Sequence, residues 1–311
     1  MLRASKDDRR AGTLLMTKTN RRELLRRAPD LQTRLPAFKV LGHGATDVGM
    51  RREVNEDSFL IVPKNHLWVV ADGMGGHAGG QFASTITVET VGSAVARRLF
   101  QAEKAAGTTG RVNIAQVVDE SVKEACARVF DTAREQPHLN GMGSTVTAML
   151  VYDGVAWFGH VGDSRAYLIR DGRIRQVTED HSLVQEQVAA GLITPEQAKI
   201  SVMRNIITRS IGFERDVRVD VGAVPLMRGD QFVLCSDGLT GHVEDHEILS
   251  IVSGNDRRKA PQMLIRLANE RGGEDNSTVV LTTVVGRRGK ERAKKPRQAL
   301  DAPPPKSTKQ G

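Results

Sequence analysis

The sequence predicts an α+β fold in which antiparallel β-sheet packs against helices. Three observations lead there. Short apolar, β-branched runs recur along the chain and are joined by brief turns. Asp-Gly pairs at 153–154 and 171–172 stand between such runs, the strongest local hairpin signal. Helical spacing arrives in pairs and does not alternate with single strands, as a βαβ protein would require. With 311 residues, 39% of them hydrophobic and 26% charged, the chain can bury one sizeable core.

Taken in order, "SFLIV" (58–62) and "LWVVA" (67–71) are strands flanking the turn "PKNH". Apolar residues at helical spacing follow over 79–104 and 112–135. Strand patterns resume at 144–152, 155–161 and 166–170, with the Asp-Gly turns between and after them. A helical run over 182–199, divisible into a short amphipathic pair, leads to strands at 217–224 and 230–236. Helices at 243–253 and 257–271 and a last strand at 276–285 complete the pattern, which has no internal repeat.

The formal charge of +8 would suggest a nucleic-acid binder if it were evenly spread. It is not. Residues 1–36 carry ten Lys/Arg against four Asp/Glu, and 287–311 carry nine against two, so the stretch between is acidic. The basic ends have the low hydropathy of solvated, disordered segments able to contact an acidic partner, and no nucleic acid is expected in the core. No apolar run reaches the roughly 18 residues of a membrane span. The first residues carry no secretory apolar segment, and Cys126 and Cys235 read as buried thiols. The buried thiols point to the cytoplasm, and a monomer is expected.

The chemistry centres on "LWVVADGMGGHAGG", where an apolar strand ends on Asp72 and five glycines follow within eight residues. Counting outward from "PKNH" sets Val62 opposite Leu67 and therefore Asp57 opposite Asp72. Directly opposed residues lie roughly 4.5–5.5 Å apart at Cβ, so two carboxylates there need a proton or a cation between them. Asp237 follows the strand "DQFVLCS", Asp275 precedes "NSTVVLTTVV", and Asp163 follows "VAWFGHV". Antiparallel strands bring the end of one beside the start of the next, so these acids share an edge. Oxygen-only ligation suits Mg²⁺ or Mn²⁺, and no Cys/His spacing suits zinc.

In order, the motifs "GMRREVNEDSF", "VVADGMGGHAGG", "GMGSTVTAMLV", "GHVGDSRAYLIRDG", "TEDHSLV", "NIITRSIG", "GDQFVLCSDGLT" and "GGEDNSTVVL" resemble the metal-dependent Ser/Thr phosphatases of the PPM, or PP2C-like, type in their compact bacterial form. The resemblance implies a four-layer α-β-β-α sandwich of two antiparallel sheets over residues 38–286. Residues 1–37 and 287–311 would then be basic extensions, and a flap would span about 181–205. It further implies two Mn²⁺ or Mg²⁺ ions bridged by Asp72, with the Gly73 carbonyl on one and Asp237 and Asp275 on the other. Asp163 with Asp237 would support a third. Glu56 and Asp57 would hold metal-bound water, Arg52 the substrate phosphate, and His77 would lie near the general acid. Phosphorylated Ser/Thr proteins, including a bacterial-type Ser/Thr kinase, are the implied partners.

The flap departs from the family pattern. Where bacterial members carry His-Pro shortly before Arg-Asn, this chain reads "KISVMRN". Three rival readings compete: a dinucleotide site on "GMGGHA", a non-catalytic module of the same fold, and a phosphohydrolase of a non-protein phosphomonoester. Glu89 falls inside a helical run and does not close a second strand, which argues against the dinucleotide site. The retained acids argue against the non-catalytic module.

Overall fold

A computed structural model describes residues 38–75, 79–107 and 110–286. The expectations for the basic ends at 1–37 and 287–311, and for His77, lie outside the described residues. In chain order the elements are β1 (Phe38–Asp47), β2 (Ser58–Val62), β3 (Leu67–Ala71), β4 (Gly73–Met74), α1 (Gly79–Ala106) and α2 (Ile114–Glu135). Next come β5 (Gly143–Ser144), β6 (Val146–Tyr152), β7 (Val155–Val161), β8 (Arg165–Arg170) and β9 (Arg173–Gln176). The chain continues with α3 (Leu183–Ala189), α4 (Pro195–Ile200), β10 (Asp220–Pro225), β11 (Gln231–Cys235) and α5 (Asp237–Thr240). It ends with α6 (Asp245–Gly254), α7 (Ala260–Glu270) and β12 (Ser277–Gly286).

Two five-stranded antiparallel sheets, ordered β1-β12-β11-β8-β9 and β10-β7-β6-β3-β2, lie face to face. Strand alternation explains the layering. In β3, Trp68 and Val70 point between the sheets, while Leu67, Val69 and Ala71 pack with α1 and α2 residues such as Val91 and Val122. In β11, Phe232 and Leu234 enter the same inter-sheet core, and Val233 and Cys235 face Ile248 and Leu264 of α6 and α7. Three apolar clusters therefore separate four layers, the expected sandwich. Strands covered on both faces read as near-continuous apolar runs.

The β2–β3 register holds as counted, with Val62 opposite Leu67 and Ser58 opposite Ala71. Both Asp-Gly pairs adopt left-handed backbone at both positions, Asp153 at φ 48° and Gly154 at 77°, Asp171 at 51° and Gly172 at 70°. That is the primed-turn geometry of tight hairpins. Cys126 and Cys235 are buried free thiols. No described helix is long and apolar enough to cross a membrane.

The structure adds strands absent from the sequence reading. β1 carries Gly42 and Gly44, which interrupt its apolar pattern. A side chain at Gly42 would collide with the buried indole of Trp68, so glycine there makes room for a residue of the opposite sheet. β9 is short and its Arg173 and Arg175 are exposed, as suits an edge strand. The helical run over 182–199 is divided at Gly191, which sits at φ 71°, before a Thr194 capping box opens α4.

Candidate active site

Antiparallel pairing carries six strand ends to one rim. β3 runs into Asp72, and β2 begins just after Asp57, one step beyond the Ser58–Ala71 pair. β11 leads through Ser236 to Asp237, beside the start of β12 just after Asp275 and Asn276. Asp163 lies in the turn between β7 and β8. The two sheets thus share one acidic bowl.

The carboxyl groups feel one another. Burial raises Asp57 to about 7; bonds from Ser236 and Thr278 oppose the rise, and Asp237 and Asp275 add to it. Burial likewise lifts Asp72 well above its ordinary range, helped by Asp57, Asp237 and Asp163. Burial and then Asp237 push Asp163 up to about 8. Asp237 is raised by burial and then by Asp275, and its carboxyl stands within hydrogen-bonding reach of Asp72. Burial also raises Glu56. Asp72 and Asp237 are half-buried, whereas Asp57 and Asp163 are each only 7% exposed.

Four buried carboxylate oxygens here, Glu56 Oε1, Asp57 Oδ1, Asp163 Oδ1 and Asp237 Oδ1, have no hydrogen-bond donor. An ionised oxygen left so is costly, typically several kcal/mol unless a proton or a cation meets it. Among the described residues no three His, Cys, Asp or Glu side chains close up into a ready cation cage. The donor set nonetheless fits a hard divalent cation, being all oxygen, clustered and unsatisfied.

Why the glycines follow Asp72 is now answerable. A side chain on Gly73 would strike the backbone of Gly80, at the start of α1, and the carbonyl of Glu56. One on Gly80 would meet the Glu56 carboxyl. The glycines let the Asp72 strand, the first turn of α1 and the Glu56–Asp57 segment meet at backbone distance.

Residues the sequence reading passed over hold the acids in place. Ser236 donates to Asp57 Oδ2 at 2.7 Å, and its oxygen accepts from the Thr278 N–H at 2.9 Å. The buried Asn276 accepts the Glu56 N–H at 2.8 Å and donates to the carbonyls of Val48 and Val54, which ties the Arg52-bearing loop to β12. Thr145 Oγ1 accepts from the Asp72 N–H at 3.0 Å and pairs with Ser164 Oγ at 2.7 Å. Each stands in a quoted motif; for Ser236, Asn276 and Ser164 the adjacency to an acid was the available signal, and Thr145 had none. Arg52 donates through Nη2 to Asp275 Oδ2 at 2.7 Å, a contact the sequence did not suggest. Both side chains are partly exposed, so the pair is weak. His77, expected nearby, lies outside the described residues.

A four-layer sandwich with carboxylates gathered at one sheet edge is what the resemblance to PP2C-like phosphatases implies, and similarity to known proteins agrees. The sequence profile of the family described as "Protein phosphatase 2C" matches residues 50–274. The chain is 38% identical over 244 residues to a putative protein phosphatase 2C-type of Streptococcus pyogenes, covering 76% of this chain and 94% of that one. Among solved structures, the Mycobacterium tuberculosis serine/threonine phosphatase PstP/Ppp superposes with a TM-score of 0.69 at 34% identity, covering 79% of this chain and 99% of that one. The catalytic domain of the serine/threonine protein phosphatase PstP in complex with two manganese ions gives 0.67 at 34% identity, covering 80% and 99%. The chain belongs to the protein phosphatase 2C family.

Proposed function

We propose that this phosphatase hydrolyses phosphoserine and phosphothreonine in proteins, using divalent cations held by the acidic bowl. The observation that carries the reading is the set of four buried carboxylate oxygens with no donor. A structural acid would have acquired one. Asp72, the Gly73 carbonyl, Asp237 and Asp275 would hold two Mn²⁺ or Mg²⁺ ions, with Asp163 and Asp237 available to a third and Glu56 and Asp57 arranging solvent around them. Such cations, when bound, make water nucleophilic near neutral pH and neutralise charge on a transferring phosphoryl group.

The chain's own residues supply position and charge. Ser236 and Thr278 hold the Asp57 carboxylate at the sheet edge, and Asn276 fixes the loop that presents Arg52. Arg52 is half-exposed, and its single bond to Asp275 leaves other guanidinium donors for a phosphate. When Asp275 is engaged elsewhere, that contact is released and the guanidinium is free to bind substrate. The working unit is residues 38–286, acting in the cytoplasm on phosphorylated proteins that include a Ser/Thr kinase. The basic ends would meet an acidic partner.

The test is turnover of a phosphothreonine peptide and of a sugar phosphate by the full chain with EDTA, Mg²⁺ or Mn²⁺. Peptide hydrolysis that needs the cation is expected. EDTA-resistant turnover, or a preference for the sugar phosphate, would overturn the proposal.

A further inference from the structure

We propose that His181 is a positioning residue for the Asp163 turn. It clamps both backbone groups of one residue, and so the peptide units on either side of it, taking the Gly162 N–H on its ring and giving its own N–H to the Gly162 carbonyl. The inference rests on the reading of the bowl given above, in which the Asp163 carboxylate faces a cation.

The geometry is reciprocal. Gly162 N–H donates to His181 Nδ1 at 2.9 Å, and His181 N–H donates to Gly162 O at 2.7 Å. His181 is 5% exposed. Gly162 stands at φ 112°, and a Cβ there would lie 2.6 Å from Thr145, so this residue has no side chain of its own to hold it. One flank is secured from β6 and its lead-in. Ser164 Oγ pairs with Thr145 Oγ1 at 2.7 Å, and the Ser164 carbonyl lies 2.9 Å from Thr147 Oγ1. His181 secures the other. Its neighbour Asp180 receives Arg165 Nε and Nη2, at 3.0 Å to Oδ1 and 2.6 Å to Oδ2. Asp163 is therefore bracketed by Gly162 and Arg165, both anchored to the pair Asp180–His181.

The ring's proton can be assigned. A backbone N–H can only donate, so Nδ1 bears no hydrogen. A neutral imidazole then carries its proton on Nε2, which points at Asp220 Oδ2 at 3.1 Å. Arg209 Nη1 lies 2.9 Å from Nε2 but cannot donate to a protonated nitrogen; its acceptor is Asp220 Oδ1 at 2.7 Å. Asp220 thus fixes the tautomer that leaves Nδ1 open to Gly162. Outer residues that orient ligands in this way are typically worth about 10–100-fold in affinity or activity.

The test compares His181→Asn, whose side-chain oxygen falls near the place of Nδ1, with His181→Gln and His181→Leu, which offer no acceptor there. Hydrogen exchange at the Gly162 amide is read without added cation. Phosphopeptide kcat with Mn²⁺ is read in the wild-type and Asp163→Ala backgrounds. Slow exchange in wild type and His181→Asn, with fast exchange in the other two, is expected. A roughly tenfold or greater kcat loss in His181→Leu should disappear once Asp163 is alanine. Equal exchange in His181→Asn and His181→Gln, or an undiminished loss in the Asp163→Ala background, would overturn the clamp. If His181→Leu does not fold, the Asn–Gln pair gives the same comparison. An inactive wild type would count against the bowl, while the exchange result still judges the clamp.

Discussion

Strand β11 has a carboxylate just outside each end, and the two could hardly differ more in company. Asp230, before the strand, is 1% exposed and fully bonded. Its oxygens accept Arg170 Nε and Nη2, both at 2.8 Å, and the Met227 N–H at 2.7 Å. Asp237, after the strand, keeps a buried oxygen with no donor and lies among other acids. Six residues, 231–236, separate a carboxylate with every oxygen bonded from one that lacks a donor. Burial alone does not mark a functional acid; the absence of a donor does.

The contrast is sharpest in the effects of substitution. Asp237→Asn should lower kcat on a phosphopeptide by at least about a thousandfold, the several kcal/mol a cation supplies to such chemistry. It should leave the metal-free protein at least as stable at neutral pH, because a repelled charge is removed. Loss of fold with activity retained in the folded fraction would invert the assignment. Asp230→Ala should do the opposite. It strands Arg170 and should reduce unfolding free energy by about 3 kcal/mol, toward the low end for a broken pair because Arg170 keeps some solvent contact. Denaturant melts and kcat of the folded protein, expected to be unchanged, check it.

A third substitution concerns a buried base on the bonded side. His160 is held by Thr147 Oγ1 and the Glu179 carbonyl, and burial lowers its pKa from 6.5 to about 4. Between those values an unfolded chain takes a proton that the folded protein refuses, so this group makes stability fall as pH falls from 6.5 to 4. The effect is about 3 kcal/mol in all. The bowl acids, raised when folded, act with the opposite sign, losing stability as pH rises. The comparison is therefore wild type against His160→Gln, which share the bowl. The gap between their melting curves should close as pH drops through this window, and a constant gap would mean the ring is charged when folded.

The smallest effect belongs to Arg52, which bridges the two kinds of acid by pairing weakly with Asp275. Arg52→Ala should cost about 2 kcal/mol of substrate binding, the scale of a charge-assisted bond, read as a rise in KM of about 10–100-fold. Unchanged kinetics would confine Arg52 to its contact with Asp275.

These differences also explain what the sequence could disclose. The opposition of Asp57 and Asp72 was readable because a short turn fixes register by symmetry and the alternation is strict. Acids at strand ends were readable because antiparallel order alone brings those ends together. The long first strand was not, since Gly42 owes its presence to an indole from another sheet. Nor were Ser236, Asn276 and His181, whose partners lie 179, 220 and 19 positions away. Asp230 and Asp237 look alike in the string of letters, each beside a strand and a glycine. Only the position of Arg170, 60 residues upstream, tells them apart.

Calorimetric titration of the metal-free protein with Mn²⁺, beside Asp237→Asn and Asp230→Asn, tests the central claim most directly. Wild type and the Asp230 variant, where folded, should bind two ions with release of protons from the raised carboxyls, and the Asp237 variant should lose at least one of them. Absence of binding to wild type, or identical isotherms for wild type and the Asp237 variant, would contradict it.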